Sequence, residues 1–412
     1  MSGTNGLRQA FPPSITGEPD HHPGSVLDHA FGKSDPYTLG VEEEYQLLDA
    51  ETFDLVQHIE TILEEVTGHE LEARLNAELM QSVLEISTPV CHDAGDVMRW
   101  LAKLRGYVTE TARAKGARVG SAGTHPFSLF ERQRITAKDR YRALIDQLQY
   151  VARRELIFGM HVHVAVDEPE KAVQVVNGLL PQLAPLLALS ASSPFWRGEP
   201  TGLASSRQMV FAAFPRSGLP PRFRDYADYA DVVGQLERTG CIADYTHIWW
   251  DVRLHPRLGT IEIRICDAVT RVEDAVAIAA YCQALVKQLC EHYEAGHEIP
   301  SFHRILTSEN KWLAARYGLE APVMDLGSTR RNRIPVARVI RRTVAELRPH
   351  ARELGSEREL DGILDILARG SSAERQLRIW NANRDIVEVA REIAIATEAL
   401  PVVPEPLVEL TT

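Results

Sequence analysis

The chain has 412 residues, of which 44% are hydrophobic and 25% charged, and its formal net charge is -12. This is the composition of a globular protein with a large core, and the acidic balance argues against a general nucleic-acid binder. An anionic ligand would therefore need local arginines or a metal. The five cysteines form no CxxC pair and their number is odd, which favours a reduced, cytoplasmic protein.

The chain divides into two regions by composition. Residues 1–35 are rich in Gly, Pro, Ser, His and Asp and lack periodicity, so we expect a mobile leader. We expect a single domain over residues 36–412, with a helical C-terminal third from Val272 onward. A membrane span is not expected, because the apolar region from Val173 to Ser193 is interrupted by polar residues and prolines.

The first predicted strand, from Gly40 to Leu48, contains three consecutive glutamates. Side chains of a strand alternate between faces, so Glu42 and Glu44 share one face, about 6 to 7 Å apart, and Glu43 lies on the other. Like charges at this distance repel unless water screens them or a cation or basic group lies between them. Taken alone, the stretch favours an edge strand with a solvated acidic face.

Three later strand predictions repeat this division into an aliphatic and a polar face. Glu85 faces away from Leu84 and Ile86. In the strand from 158 to 166, His161 and His163 share the face opposite the valines. A hairpin with arms at 249–254 and 260–265 presents Glu262 and Arg264 together on its second arm.

Between these strands, helix-spaced apolar residues predict helices at 55–66, 93–115, 136–156 and 225–238, and a long helix from Pro169. The stretch 194–224 reads as a loop, and loops of this length are uncommon unless they carry function. Within it, Arg207 follows two serines at the expected start of a helix.

A sheet backed by helices would gather the polar groups of all four strands on its open face. Carboxylates with one or two imidazoles suit Mg²⁺ or Mn²⁺, and Arg207 and Arg264 suit phosphate or carboxylate. The chain has neither a GxxxxGK[ST] nor a GxGxxG motif. If ATP binds, its phosphates must therefore be bound mainly by metal ions that the carboxylates coordinate.

Several motifs occur together, in one order, between about residue 37 and residue 400. They lie at 40–45, 84–88, 159–164, 188–196, 201–207 and 249–264. In this combination the chain resembles the type 2 glutamate–cysteine ligase family, whose bacterial branch comprises the YbdK-like carboxylate–amine ligases.

The resemblance implies an α+β, glutamine-synthetase-like fold, in which a curved, mostly antiparallel sheet of about six strands forms a funnel with helices packed outside. It also implies ATP-dependent amide formation through an acyl phosphate, from a glutamate-like acid and an amino-acid amine. Glutamate–cysteine ligase activity is often weak in such proteins, so the acid and the amine can differ. The expected partners are small-molecule substrates, with no nucleic acid or membrane, and a homo-oligomer is left open.

By motif position, the resemblance implies Mg²⁺ ligation by six residues: Glu42, Glu44, Glu78, Glu85, His161 and Glu262. It implies that Arg207 and Arg264 bind the γ-phosphate or the acyl phosphate. His163 is either a further ligand or a hydrogen-bond partner of the nucleotide or substrate.

Three other functions remain open. A barrel-type amidohydrolase would use the two histidines at the end of its first strand, but here more than one strand precedes them. A metal-dependent phosphotransferase could use the same sheet without an amine. A sensor would bind Mg-ATP without turnover.

Overall fold

A computed structural model describes residues 28–328 and 332–403. The architecture is α+β, with one large sheet, three small two-stranded sheets and helices around them. The strands are β1 Leu39–Asp49, β2 Leu75–Ala77, β3 Val83–Ser87, β4 Ala117–Gly120, β5 Met160–Ala165, β6 Phe195–Trp196, β7 Glu199–Pro200, β8 Ser217–Gly218, β9 Trp249–Trp250, β10 Val252–His255, β11 Thr260–Ile263, β12 Pro322–Met324 and β13 Arg333–Pro335.

The helices come mostly in the second half of the chain. They are α1 Ile59–Glu65, α2 Ala94–Ala114, α3 Asp139–Leu148, α4 Tyr150–Arg153, α5 Pro169–Leu179, α6 Leu183–Ser190, α7 Arg207–Phe211, α8 Tyr226–Arg238, α9 Val272–Glu294, α10 Arg304–Tyr317, α11 Val336–Glu353, α12 Glu357–Arg369, α13 Ser372–Asn383 and α14 Ile386–Glu398.

The large sheet has seven strands, one more than the six or so expected from the sequence. Its order is β10-β11-β5-β1-β3-β2, and β4 pairs with the end of β1. Every pairing in it is antiparallel over the described residues. The register places Glu42 opposite His161 and Glu44 opposite Glu85. Residues from separate strands therefore form one polar row across the sheet.

The aliphatic face of the sheet packs against α2, α5 and α9. Helix α9 is central, because most of its residues are buried and it also contacts α11 and α12. The main hydrophobic core extends from Phe31 to Ile366 and includes β1, α9 and α12. Helices thus cover one face of the sheet and leave the row of charged groups on the other.

Several local predictions differ from the structure. The first helix begins at Ile59 rather than at 55. The helix expected over 136–156 is interrupted at Gln149, whose φ of 50° takes the chain out of the helical conformation. The hairpin of β12 and β13 was not anticipated, since that region reads as helical with one turn.

The expected leader lies partly outside the described residues, which begin at 28. From there the chain follows the hairpin and β5. The Ala30 N–H donates to Pro256 O at 2.8 Å and the Gly32 N–H donates to Val166 O at 3.2 Å. Phe31 is 7% exposed and belongs to the main core. Residues 29–31 therefore pack against the β10–β11 hairpin and the end of β5, whereas residues 32–35 are exposed.

The apolar region noted in the sequence forms α5 and α6. The segment Pro169–Ser190 is long and apolar enough to cross a membrane, but 78% of its most apolar window is buried inside the fold. Asn177 within it donates to Phe223 O at 2.7 Å. Most of this segment therefore lies in the core of the fold.

Candidate active site

Glu42 lies in the middle of the polar row and contacts both histidines of β5. Its Oε2 is 2.9 Å from His161 Nδ1, and its Oε1 is 3.5 Å from His163 Nε2. Burial alone would raise the pKa of Glu42, but the imidazoles of His163 and His161 outweigh burial and hold the pKa well below its usual range. The Glu42 carboxylate is therefore ionised at neutral pH.

The site contains two groups of ionisable side chains. The first group consists of Glu42, His163 and Glu262. Each offers a ligand atom, and these atoms lie within 4.8 Å of one another. His163 Nε2 is buried and forms no hydrogen bond within the described residues, although it lies 3.5 Å from Glu42 Oε1, while Nδ1 lies 3.0 Å from Thr260 Oγ1. The contact of Nδ1 with Thr260 fixes the orientation of the ring, and Nε2 then faces the two carboxylates. This arrangement is suited to binding a divalent cation.

His161 lies next to this group but outside it. Its Nδ1 contacts Glu42 and is 3.5 Å from a terminal nitrogen of Arg264. Burial and the Arg264 guanidinium lower the pKa of His161, so the ring is neutral at pH 7. The group of three thus contains His163, whereas the family motif pointed to His161.

Glu262 is already bound by two arginines. Arg253 Nε is 2.6 Å from Glu262 Oε2, and Arg264 contacts Oε1. Burial raises the pKa of Glu262, but Arg253 and Arg264 hold it well below its usual range. Arg253 was not among the predicted site residues, although it directly faces Glu262 across the β10–β11 pair.

The second group of ionisable side chains consists of Glu44, Glu78 and Glu85. Glu44 accepts a hydrogen bond from the Gly159 N–H, and Glu78 accepts one from the Leu79 N–H at 3.2 Å. Burial and the Glu44 charge raise the pKa of Glu78 to about 7, and burial with Glu78 and Glu42 raises that of Glu85 well above its usual range. Such mutual repulsion is what a bound cation would relieve.

Arg207 begins α7 and is 3% exposed. Its two terminal nitrogens lie 3.4 Å from Ile265 O and Arg264 O, and one of them lies 3.9 Å from Asp267 Oδ1. Its buried Nε has no hydrogen-bond partner among the described residues. The guanidinium therefore makes few bonds within the described protein. It retains donors that can reach an anion.

Asp267 anchors the start of α7 beneath Arg207. It is fully buried and accepts hydrogen bonds from Ser193 Oγ at 2.7 Å and Ser205 Oγ at 2.9 Å. Ser193 Oγ in turn accepts from the Arg207 N–H at 3.1 Å. Asp267 was not predicted as a site residue. The sequence indicates it only by its position three residues after Arg264 and by the Ser-Ser pairs that contain its partners Ser193 and Ser205.

A cleft that is partly open to solvent, with about 850 Å³ of atom-free space, lies over the polar face. Five of the predicted residues line it, and Glu42, Glu85, His163 and Glu262 lie beside it on the same face. Its lining consists of the predicted residues Glu44, Glu78, His161, Arg207 and Arg264 with Leu79, Met80, Val83, Arg140, Tyr141, Leu144, Glu155, Ile157, Phe211, Phe214, His247 and Trp249.

Comparison with known proteins identifies the family of this chain. Residues 38–392 match the model of the family described as glutamate–cysteine ligase family 2. A protein of Rubrobacter xylanophilus provisionally named glutamate–cysteine ligase 2-1 is 47% identical over 353 residues, covering 86% of this chain and 93% of that protein. A protein of Sorangium cellulosum provisionally named glutamate–cysteine ligase 2 is 42% identical over 358 residues, covering 87% of this chain and 95% of that one.

Two solved structures share the fold at low sequence identity. The glutamate–cysteine ligase of Francisella tularensis in complex with AMP aligns with a TM-score of 0.61 and 11% identity, over 89% of this chain and 90% of that one. A bifunctional glutathione synthetase from Pasteurella multocida aligns with a TM-score of 0.63 and 15% identity. That match covers 87% of this chain and 52% of the synthetase, so the chain spans about half of that protein.

The protein is an ATP-dependent carboxylate–amine ligase of the glutamate–cysteine ligase type. Its chain belongs to the glutamate–cysteine ligase family 2. The histidines of β5 lie on an inner strand of an antiparallel sheet, which does not agree with a barrel-type amidohydrolase.

Proposed function

We propose that the chain joins a glutamate-like carboxylic acid to an amino-acid amine, with ATP as the phosphoryl donor and an acyl phosphate as the intermediate. The observation that carries this proposal is that Glu42, His163 and Glu262 meet within 4.8 Å beside a cleft lined by Arg207 and Arg264. Carboxylates suit a divalent cation and guanidinium groups suit phosphate. The names of the relatives support glutamate as the acid and cysteine as the amine.

The metal in this proposal is Mg²⁺, or Mn²⁺ in its place, and two observations support it. One is the buried, unpartnered His163 Nε2; the other is the raised pKa of Glu78 and of Glu85. When bound, such ions neutralise phosphate charge. The residues proposed to hold them are Glu42, Glu44, Glu78, Glu85, His161 and Glu262, with His163 as a further ligand or a contact of the nucleotide or substrate.

Arg207 and Arg264 bind the γ-phosphate and afterwards the acyl phosphate in this proposal. A carboxylate oxygen of the acid attacks the γ-phosphorus, and ADP leaves; the amine then displaces phosphate from the acyl carbon. Such transfer needs positioning and charge neutralisation more than a covalent protein nucleophile. The partly unpaired guanidinium of Arg207 is suited to that task.

The proposal extends to the shape of the sheet and to domain organisation. We propose that the sheet curves into a glutamine-synthetase-like funnel and that residues 36–412 form a single catalytic domain. The unbroken core from β1 to α12 supports one domain, and the packing of α2, α5 and α9 on the aliphatic face supports an open polar face. The cytoplasmic location, the leader and a homo-oligomer stay predictions.

An ADP-release assay with Mg²⁺ over a panel of acids and amines tests the function, with mass spectrometry of the products. We expect ADP release to require the acid, to rise strongly with the amine and to stop with excess EDTA. Release without any acid would point to a plain ATPase. A phosphorylated product whose amount does not depend on the amine would point to a phosphotransferase.

A further inference from the structure

Glu155 lines the cleft without any side-chain hydrogen bond or ion pair to the described residues. It follows α4, where its N–H donates to Ala152 O at 3.1 Å. Its Oε2 is buried and accepts no hydrogen bond from residues 28–328 or 332–403. An unpaired buried carboxylate oxygen is costly, so such a group calls for an explanation, for example a ligand that it binds.

The surroundings of Glu155 place it on the Arg207 side of the cleft. Ile157, two residues further on, packs with Phe211 and Phe214 in a small apolar cluster at α7. The neighbouring Arg154 donates to Val210 O at 3.1 Å. These contacts hold the turn after α4 against the helix that begins at Arg207.

The charges that face Glu155 are those of Arg207, Arg154 and Glu44. Burial raises its pKa most, Arg207 and Arg154 lower it, and Glu44 raises it, with the result that its pKa is about 8. At pH 7 the side chain is therefore mostly protonated in the free protein, and an approaching ammonium group favours its ionised form, which can act as a general base. Glu155 thus differs from an ordinary surface glutamate in two ways: its Oε2 has no hydrogen-bond partner among the described residues, and its pKa is raised.

We propose that Glu155 binds the ammonium group of the amine substrate and accepts its proton before the amine attacks the acyl phosphate. This inference rests on the proposed ligase function. Three carboxylates line the described cleft, and Glu44 and Glu78 belong to the like-charged group suited to a cation. Glu155 is not one of the proposed metal ligands, although it interacts with the Glu44 charge, and it interacts more strongly with Arg207, the proposed phosphate-binding arginine.

The step balances as follows. The protonated amine gives one proton to the Glu155 carboxylate and becomes a neutral nucleophile. Its nitrogen lone pair forms the C–N bond, the bond between the acyl carbon and the phosphate oxygen breaks, and the electron pair leaves with phosphate. The second proton on nitrogen passes to the departing phosphate, and Glu155 then releases its proton to water.

The test separates the two halves of the reaction in the Glu155→Gln variant. Hydroxylamine is largely neutral at pH 7 and needs no base, so it traps the acyl phosphate as a hydroxamate. We expect Glu155→Gln to form hydroxamate at close to the wild-type rate. We expect its amide formation with an amino-acid amine to fall by about 10²-fold or more at pH 7.

Two further variants make the comparison sharper. Glu110→Gln is a matched control, because Glu110 is an exposed glutamate on α2. Glu155→Asp keeps a carboxylate and should recover part of the amide formation; it also serves if the glutamine variant does not fold.

The pH dependence of amide formation gives a second readout. In Glu155→Gln, the rate of amide formation should rise steeply with pH as the amine loses its own proton, whereas the wild-type rate should level off.

The outcomes separate the two proposals. If the wild-type protein forms no acid-dependent hydroxamate, the proposed function fails. If the wild-type protein forms both products and Glu155→Gln keeps full amide formation, the role of Glu155 is overturned while the ligase stands. Equal loss of hydroxamate and amide in Glu155→Gln also overturns it, since Glu155 would then serve the nucleotide or the fold.

Discussion

Glu43 and Arg105 form a buried ion pair on the aliphatic face of the sheet, directly behind the carboxylates of β1. Arg105 Nε is 2.9 Å from Glu43 Oε2, and the two side chains are 1% and 0% exposed. Tyr45 donates to the same glutamate, and Arg105 donates to Thr270 O at 2.9 Å. The pair connects β1 to α2 and to the loop before α9, so it fixes the strand that presents Glu42.

Breaking this pair should cost much stability. Arg105→Met leaves Glu43 as an unpaired buried carboxylate, and we expect the free energy of unfolding to fall by about 3–5 kcal/mol. Lys103, on the same helix, pairs with the exposed Glu70, and Lys103→Met should cost much less stability because water screens that pair. Urea unfolding of both variants at pH 7 measures the difference, and equal losses would contradict the structural role of Arg105.

Neutralising two carboxylates of the site should change stability in opposite directions. Glu262→Gln leaves Arg253 and Arg264 without their partner, so we expect about 2–4 kcal/mol of destabilisation. Glu85→Gln removes a charge repelled by its neighbours, so the melting temperature of the metal-free protein should rise by about 2 °C.

Both of these variants should also lose at least about 10²-fold in turnover, because each removes a proposed metal ligand. Calorimetry in EDTA and the ADP-release assay test the two effects separately. Near wild-type turnover in both variants would show that the proposed ligand set is wrong.

Gly159 lets the Arg207 guanidinium lie close to β5. A Cβ at residue 159 would be 3.0 Å from Arg207 Cζ and closer still to a terminal nitrogen. We expect Gly159→Ala to displace the guanidinium and lower kcat by about 10-fold to 10²-fold. Gly40→Ala is the control on the same face, since its Cβ would meet only His163 Cβ, at an ordinary 3.5 Å. Equal kcat values in the two variants would contradict the placement of Arg207.

His125 should make the protein less stable in mild acid. Burial lowers its pKa to about 4, its Nε2 is 2.9 Å from Phe53 O, and its Nδ1 accepts from the Ser128 N–H. The unfolded chain binds a proton near pH 6.5 and the folded chain only near pH 4. The stability contributed by neutral His125 is therefore present above pH 6.5 and is lost as the pH falls toward 4, by up to about 3 kcal/mol.

The variant His125→Asn should reduce this pH dependence. Unfolding free energies of the variant and the wild type are compared between pH 7 and pH 4.5, and the wild type should lose more. His92→Asn, at an exposed histidine, should follow the wild type. A His125→Asn variant that loses as much stability as the wild type would contradict the prediction.

The polar row of the sheet could be read from the sequence because strand side chains alternate strictly. Glu42, His161, His163 and Glu262 were assigned to one face by that alternation, and the register places them there. The hairpin before α9 and the helix start at Arg207 also follow the local prediction. These features depend on neighbours in sequence.

Other features depend on contacts between distant segments. Arg253 lies in the site because the β10–β11 register places it opposite Glu262. Asp267 belongs to the site because it accepts hydrogen bonds from Ser193 and Ser205, which are more than 60 positions away in the sequence. Glu155 was expected inside a continuous helix, but the break at Gln149 changes the direction of the chain before it. No local pattern carries this information.

The sequence by itself determined the alternating strands, the charged groups that they carry and the family of ligases to which they belong, because periodicity and motif spacing are properties of neighbouring residues. Only the tertiary structure decided that His163 meets Glu42 and Glu262, that arginines neutralise Glu262, and that Glu155 lies unpaired beside Arg207. The reason is physical: burial and the distance between charges, which set the pKa of each group, exist only once separate strands and helices are packed together.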